Sequence, residues 1–266
     1  MDFKGKVAVI TGGANGIGRA AAIGFAAHGA RVVVVDRDGP GAKAAAGSIE
    51  QTGGKALAVT ADVTKSADVA AYVKAAVDTF GRIDCFFNNA GIEGKVKPLH
   101  ETDEAEFDQL FAVNVKGVFL GLRHVIPQMI KQKSGAIVNT ASVAGLVGSP
   151  NMAPYVASKH AVIGFTKTVS GEVAGHGIRI NAVCPGPVDT RMIHSVTAQI
   201  DPAGAKAVAE RYAAAIPLGR FCTADEIANT VMFLCSDYAS GITGAQYVVD
   251  GGRTATGGAV TIIGKK

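Results

Sequence analysis

Val7-Ala8-Val9-Ile10-Thr11-Gly12-Gly13-Ala14-Asn15-Gly16-Ile17-Gly18 is the stretch that decides how this chain folds. Val7–Thr11 is a short apolar, β-branched run without polar alternation, the pattern of a strand covered on both faces. Directly behind it, Gly12, Gly16 and Gly18 allow a tight turn and a close backbone approach to a pyrophosphate. The Ala-rich stretch from Gly16 to His28 predicts a helix whose first free N–H groups would face that negative charge. The spacing departs from the G-x-G-x-x-G fingerprint. Its place after a strand and before a helix is what points to a dinucleotide.

Outward from this turn the alternation repeats. Strands are predicted over Arg31–Asp36, with four consecutive valines, and over Ala56–Thr60, Ile83–Asn88, Ala136–Thr140, Arg179–Cys184 and Gln246–Val249. Helices are predicted over Ser66–Phe80, through a long region at Glu104–Gln132, and from about Pro154 to Gly175. Roughly seven buried strands separated by helices imply an α/β fold, a Rossmann-type doubly wound parallel sheet with helices on both faces. No linker divides it, so residues 1–252 are expected to form one dinucleotide-binding catalytic domain. Right-handed crossovers place every strand C-terminus along one edge, where ligands bind. Residues 190–216 break the rhythm and are expected to lie over that edge, either as a substrate-covering insertion or as a plain surface helix pair. The tail, residues 253–266, is expected to be disordered or to cross a subunit interface.

Of the 266 residues, 48% are hydrophobic and 18% charged, enough for a large core and the opposite of a disordered composition. A net charge of +4, with no long basic run, argues against a nucleic-acid platform. Cys85, Cys184, Cys222 and Cys235 are scattered and form no C-x-x-C, so reduced thiols and no metal site are expected. Met1 to Lys6 leads straight into the first strand without a signal-peptide pattern, and no run of about 18 uninterrupted apolar residues exists. A cytoplasmic protein with no membrane or nucleic-acid partner is expected.

Cofactor choice rests on charge. Asp36 closes the second strand 18 residues after Gly18, near the roughly 20-residue offset of the acid that binds a ribose 2′-OH. A carboxylate there accepts hydrogen bonds from the diol and repels a 2′-phosphate. Arg37 is the complication, since a guanidinium could hold that phosphate, but Asn15 adds no second cation from the turn. NAD is therefore expected over NADP.

Tyr155 and Lys159 stand four residues apart, on one face of a helix. An unperturbed phenol titrates near ~10, too high for a base at neutral pH. The ammonium and an oxidised nicotinamide would both favour phenolate. Ser142, just past the fifth strand, can hydrogen-bond a substrate carbonyl oxygen, and no G-x-S-x-G or hydrolase triad accompanies it. Asn114 lies in an apolar helical stretch, where a satisfied core amide and a functional group are both open.

These residues together resemble the short-chain dehydrogenase/reductase family, over about residues 5–252. The resemblance is carried by Thr11-G-x-x-x-G-x-Gly18, Asp62-Val63, Asn88-Asn89-Ala90-Gly91, Asn114, Ser142, Tyr155-x-x-x-Lys159, Pro185-Gly186 and Asp250-Gly251-Gly252, in the family's order. It implies that Tyr155 is the general acid/base, that Lys159 lowers its pKa and binds the nicotinamide ribose, and that Ser142 orients the substrate oxygen. Asn114 would hold a water linking Lys159 to solvent. Cofactor contacts are implied for Gly12, Asn15, Gly16, Ile17, Gly18, Asp36 and Arg37. Further contacts are implied for Asp62 and Val63 by the adenine, and for Asn88, Asn89, Ala90 and Gly91 by the ribose. Pro185, Gly186, Val188 and Thr190 would lie on the nicotinamide side. A homotetramer is implied as well.

The stretches Phe86–Lys95 and Asn139–Ser142 look most like a levodione-type (cyclic diketone) reductase branch, with cyclic-alcohol and dihydrodiol dehydrogenases close to it. The expected reaction is hydride transfer between NAD(H) and the carbinol or carbonyl carbon of a secondary alcohol or ketone. The pocket walls are expected from residues 93–97, 143–153 and 188–215, mainly apolar, with Arg191 and His194 as candidates for a polar or anionic group. Two alternatives stand beside this: an NADP-dependent 3-oxoacyl carrier-protein reductase, and a non-catalytic dinucleotide-binding sensor.

Overall fold

Val32, Val33, Val34 and Val35 are all fully buried, and they alternate between two separate cores. That alternation follows from a strand pleat sandwiched between two helical layers. In the computed structural model, which describes residues 1–256, seven parallel strands run in the order β3-β2-β1-β4-β5-β6-β7. They are β1 (Val7–Thr11), β2 (Arg31–Asp36), β3 (Lys55–Thr60), β4 (Cys85–Asn88), β5 (Gly135–Thr140), β6 (Ile178–Pro185) and β7 (Gln246–Val249). The sheet is doubly wound, as expected, and the order shows that the direction of winding reverses between β1 and β4.

One core holds Val32 and Val34 with Ala21 and Phe25 of α1 (Gly16–Ala27), Ala45 and Ile49 of α2 (Gly39–Gln51), and Ile227 and Val231 of α9 (Ala224–Cys235). The other holds Val33 and Val35 with residues of α3 (Ser66–Phe80), α5 (Gly117–Gln132) and α6 (Ala153–Val173). α2 and α9 are not among the helices predicted above, although both carry start signals. The Asp38 side chain accepts from Gly41 N at the head of α2, and Thr223 and Glu226 form a reciprocal capping box at the head of α9. The strand expected from Ile83 begins at Cys85, because the backbone of Ile83 is taken up at both N–H and C=O by the Gln132 side chain.

The long helical region divides into α4 (Glu104–Phe111), a π turn at Ala112–Lys116, and α5. By length and composition, Glu104–Gln132 could cross a membrane. Here Val118, Leu120, Leu122, Val125 and Met129 pack instead into the sheet's second core. Residues 190–216 form two helices, α7 (Arg191–Ile200) and α8 (Ala205–Ala214), packed on each other. The start of the tail is ordered, because Asp250 accepts from Gly252 N, Thr254 N and the Thr254 hydroxyl. The expectation of disorder or an interface otherwise falls on residues 257–266, outside the described residues.

Candidate active site

The reversal between β1 and β4 opens a crevice at the C-terminal edge of the sheet, and the glycine turn sits in it. Gly12 and Gly16 have φ of +65° and +51°, in the left-handed region that favours glycine. A Cβ on Gly18 would lie 2.0 Å from the Gly12 carbonyl oxygen, so the first turn of α1 packs on the loop without a side chain between them. A narrow cradle of backbone N–H groups remains, the geometry that accepts a phosphate. Across the crevice, Asn89 N and Ala90 N donate to the Thr11 hydroxyl at 2.9 and 3.1 Å. The Asn89 side chain donates to Thr11 O at 3.1 Å.

Asp36 is fixed beside this cradle. Its carboxylate accepts from Ala14 N and Asp38 N, each at 3.0 Å, which leaves lone pairs for a diol. Asn15 is exposed at the start of α1, Ile17 is half-buried, and Arg37 is exposed. Asp62 accepts from the backbone and hydroxyl of Thr64, and these bonds, with Lys65 and Arg37 nearby, hold its carboxyl below the usual range. Val63 packs over Gly117. Thr190 stands at the start of α7, where a Cβ on Gly16 would lie 3.4 Å from its methyl group, so the heads of α1 and α7 flank the same space. Val188 and Pro185 are buried, and Gly186 is hemmed in by Asp250, 2.7 Å from where its Cβ would lie. These residues fit a dinucleotide.

Tyr155 and Lys159 occupy the first turns of α6, with the Lys159 ammonium 5.5 Å from the Tyr155 ring centroid. Lys159 is buried and donates to the Thr140 carbonyl at 2.9 Å. Ser142, also buried, donates to Pro185 O and accepts from Ala144 N. Burial pushes the Tyr155 phenol up to about 12; the nearby Ser142 hydroxyl pulls it down and the Glu93 charge raises it further. Burial also lowers the Lys159 ammonium to about 8. In the free protein desolvation is the largest influence on the phenol and sets the direction of its shift. Cys184 of β6 is buried, and burial lifts its thiol to about 11 and keeps it protonated.

The side chain of Asn114, in the π turn, is almost fully engaged. Its Oδ1 accepts from Ile92 N at 2.9 Å, and its Nδ2 donates to Ile92 O at 2.9 Å and to the Ser158 hydroxyl at 3.2 Å. Both amide hydrogens are committed, so Asn114 acts here as a clamp on the loop after β4. Asn88, grouped with the ribose contacts above, is instead a buried strut. It donates to Val118 O and Asn139 Oδ1 inside the protein. His194 pairs with Asp189 at 3.0 Å on the surface.

Two groups escaped the sequence reading. The Thr140 hydroxyl donates to Asn89 Oδ1 at 3.0 Å, joining the glycine turn's side of the crevice to that of Tyr155 and Lys159. Gln199 of α7 accepts from Val96 N at 3.0 Å and donates to Gly94 O at 3.3 Å, tying residues 94–96 to the helix pair. A cavity beside this clamp is lined by Arg37, Glu93, Lys95, Arg191 and Ser195 among others. Neither contact leaves a periodic or spaced pattern in the chain.

Comparison with known proteins agrees with this geometry. A family model described as enoyl-(acyl carrier protein) reductase matches residues 12–254. Levodione reductase from Leifsonia aquatica is 44% identical, over 95% of this chain and 96% of that one. Its fold matches too: a crystal structure of levodione reductase superposes with a TM-score of 0.93 over 95% of this chain and 99% of its own. Cyclohexanol dehydrogenase from Acinetobacter sp. (strain SE19) is 41% identical, over 95% of this chain and 96% of that one. A 3-ketoacyl-(acyl-carrier-protein) reductase from Brucella melitensis, solved with NADH, gives a TM-score of 0.87 at 39% identity, over 95% of this chain and 100% of its own. With this cradle, this sheet order and these relatives, the chain belongs to the short-chain dehydrogenase/reductase family.

Proposed function

We propose that this oxidoreductase uses NAD(H) to interconvert a secondary alcohol, cyclic in its preferred substrates, and the matching ketone. The observation that carries this is the gathering of the Tyr155 phenol, the Ser142 hydroxyl and the Lys159 ammonium beside the glycine cradle. Bound NAD(H) supplies the hydride donor or acceptor. The chain's own groups handle the oxygen and its proton. Ser142 orients the substrate oxygen, and Tyr155 donates a proton to it during reduction or removes one during oxidation. With its phenol raised to about 12, Tyr155 in the free protein holds its proton, ready for reduction. Oxidation needs the phenolate, which a positive charge nearby favours. Lys159 is the described cation closest to that task, and it is held against the ring by the Thr140 carbonyl.

The cradle, the diol-ready Asp36 carboxylate and the exposed Asn15 support NAD over NADP. The levodione and cyclohexanol enzymes support a cyclic substrate. The α7–α8 pair, latched by Gln199, is read as a cover over the substrate. The 3-oxoacyl carrier-protein reductase remains the second reading, favoured by the exposed cations Arg37, Lys95 and Arg191 at the cavity mouth. A silent sensor is opposed by the complete set of catalytic side chains. Four free, buried cysteines support residence in a reducing cytoplasm. We also infer a homotetramer, supported by exposed Phe107 and Phe119 on α4 and α5 and by Val248 on the edge strand β7. Light scattering should give four times the chain mass; a monomer would overturn this.

The reaction is tested with NADH and NADPH against cyclic ketones and a short 3-oxoacyl thioester. Cyclic ketones with NADH should be the best pair. Tyr155→Phe should lower turnover by roughly three orders of magnitude, in the range of a lost acid/base group, while NADH still binds, read from the change in the dihydronicotinamide's own fluorescence because the chain has no tryptophan. Undiminished turnover would remove Tyr155 from its role. Asp36→Ala should narrow the preference for NADH over NADPH by about tenfold, the worth of one charge-assisted contact. A wild-type enzyme already preferring NADPH would refute the charge argument.

Lys159 gives a pH signature. Its folded pKa, about 8, lies below its unfolded value, so the buried ammonium destabilises the native state fully below pH 8. That burden fades as pH rises toward ~10.5, where the unfolded chain also loses the proton. Lys159→Met should therefore be at least as stable as wild type at pH 7. Its advantage in thermal denaturation should shrink between pH 8 and about 10.5. A constant difference across that range would show that Lys159 is not desolvated as described.

A further inference from the structure

We propose that Glu93 sets substrate specificity: its carboxylate selects alcohols and ketones that carry a second hydrogen-bond donor, such as a neighbouring hydroxyl, and disfavours anionic ones. The inference rests on the reaction read above for Tyr155 and Ser142.

Glu93 sits between two backbone clamps. On one side Asn114 binds both the N–H and the C=O of Ile92. On the other, Gln199 binds Gly94 O and Val96 N. Both are two-point contacts, so the short segment between them has little freedom to swing. The loop also starts at the catalytic end. A Cβ on Gly91 would lie 3.6 Å from the Lys159 ammonium and 3.3 Å from Asn114 Oδ1. Glu93, two residues further on, lines the cavity against α7, and its charge reaches the Tyr155 phenol.

The carboxylate is half-buried, and no hydrogen bond or ion pair joins it to another described side chain. Its neighbour on the same wall differs: Glu106 is bound by Lys97 at 2.6 Å. A half-buried carboxylate without a partner accepts hydrogen bonds and donates none. A ligand group that completes it must therefore be a donor. Charge-assisted bonds of this kind are roughly twice as strong as neutral ones.

Arg37, Lys95 and Arg191 line the same cavity and would favour an anion. All three are exposed, where salt screens charges beyond roughly 8–10 Å. They steer anions, the cofactor included, toward the mouth. Glu93 differs from them in being half-buried, two residues along a clamped loop from Gly91 beside the Lys159 ammonium, and its carboxylate is therefore the charge assigned to the substrate.

The test uses wild type, Glu93→Gln and Glu93→Ala with NAD and three alcohols: cyclohexanol, cis-1,2-cyclohexanediol and 3-hydroxycyclohexanecarboxylate. NADH fluorescence titration establishes that each variant is folded. The diol-to-cyclohexanol ratio of kcat/KM should exceed one in wild type and fall by about tenfold or more in Glu93→Ala, a hydrogen-bonding site's discrimination reduced for partial exposure, with the change mainly in KM for the diol. In Glu93→Gln, which keeps an acceptor but loses the charge, the fall should be smaller. The relative rate with the carboxylate-bearing alcohol should rise in both variants. A diol ratio within about twofold of wild type in both variants would overturn the proposal. No turnover of any alcohol by wild type would instead overturn the reading of the reaction itself, a distinguishable result.

Discussion

The Thr11 hydroxyl, accepting from Asn89 N and Ala90 N, holds shut the gap between the first and fourth strands, and the active site depends on that closure. The two strands diverge at their C-terminal ends because the sheet winds in opposite directions on either side of them. Left unbridged, their loops would splay, and both N–H groups would lack a partner in a half-buried place. One hydroxyl satisfies both donors and passes its own hydrogen toward Phe87 O at 3.4 Å. From there the chain of bonds continues sideways. Asn89 Oδ1 accepts from the Thr140 hydroxyl, and the Thr140 carbonyl accepts from Lys159. The glycine turn and Lys159 thus belong to one network, set on strand ends rather than on free loops.

A second row of polar groups runs beneath the first. Asn88 donates to Asn139, Asn139 donates to Thr166 of α6, and the Thr166 hydroxyl donates to Val162 O. These side chains are buried, and their satisfied amides fix β4, β5 and α6 in register. Asn88 and Asn89 therefore do different work although they are adjacent and identical. The pleat turns one inward to the strut and the other outward to the crevice.

Such differences mark how far the chain alone could be read. The fold class, the glycine turn and the Tyr155–Lys159 pair were legible, because each rests on local pattern: strands alternating with helices, a glycine turn after a strand, or one helical turn between side chains. α2 was obscured by Gly39-Pro40-Gly41, which has the composition of a loop although Pro suits a helix's first turn. The resemblance implies a cofactor contact for Asn88 as part of the Asn88–Gly91 run, which does not distinguish it from Asn89. The clamps were illegible for a plainer reason. Asn114 meets Ile92 across 22 residues, and Gln199 meets Val96 across 103. No periodicity connects them, and an amide on an apolar helix looks the same whether or not it finds a distant backbone.

That both clamps are amides is itself informative. A side chain that grips a backbone at N–H and C=O must donate and accept at once, which Asn and Gln do without charge. A carboxylate would lose the donor and add a negative charge near the phenol. Glu93 already pushes Tyr155 in the unfavourable direction, on top of desolvation. A second anion at position 114, closer to Lys159, would stabilise the ammonium while holding the phenol's proton more tightly. An ammonium or guanidinium would lose the acceptor and leave Ile92 N unsatisfied. Neutral amides can fix the loop beside Tyr155 and Lys159 without adding a charge there. Residue 93, held between the two clamps, keeps its backbone in place whatever side chain it carries.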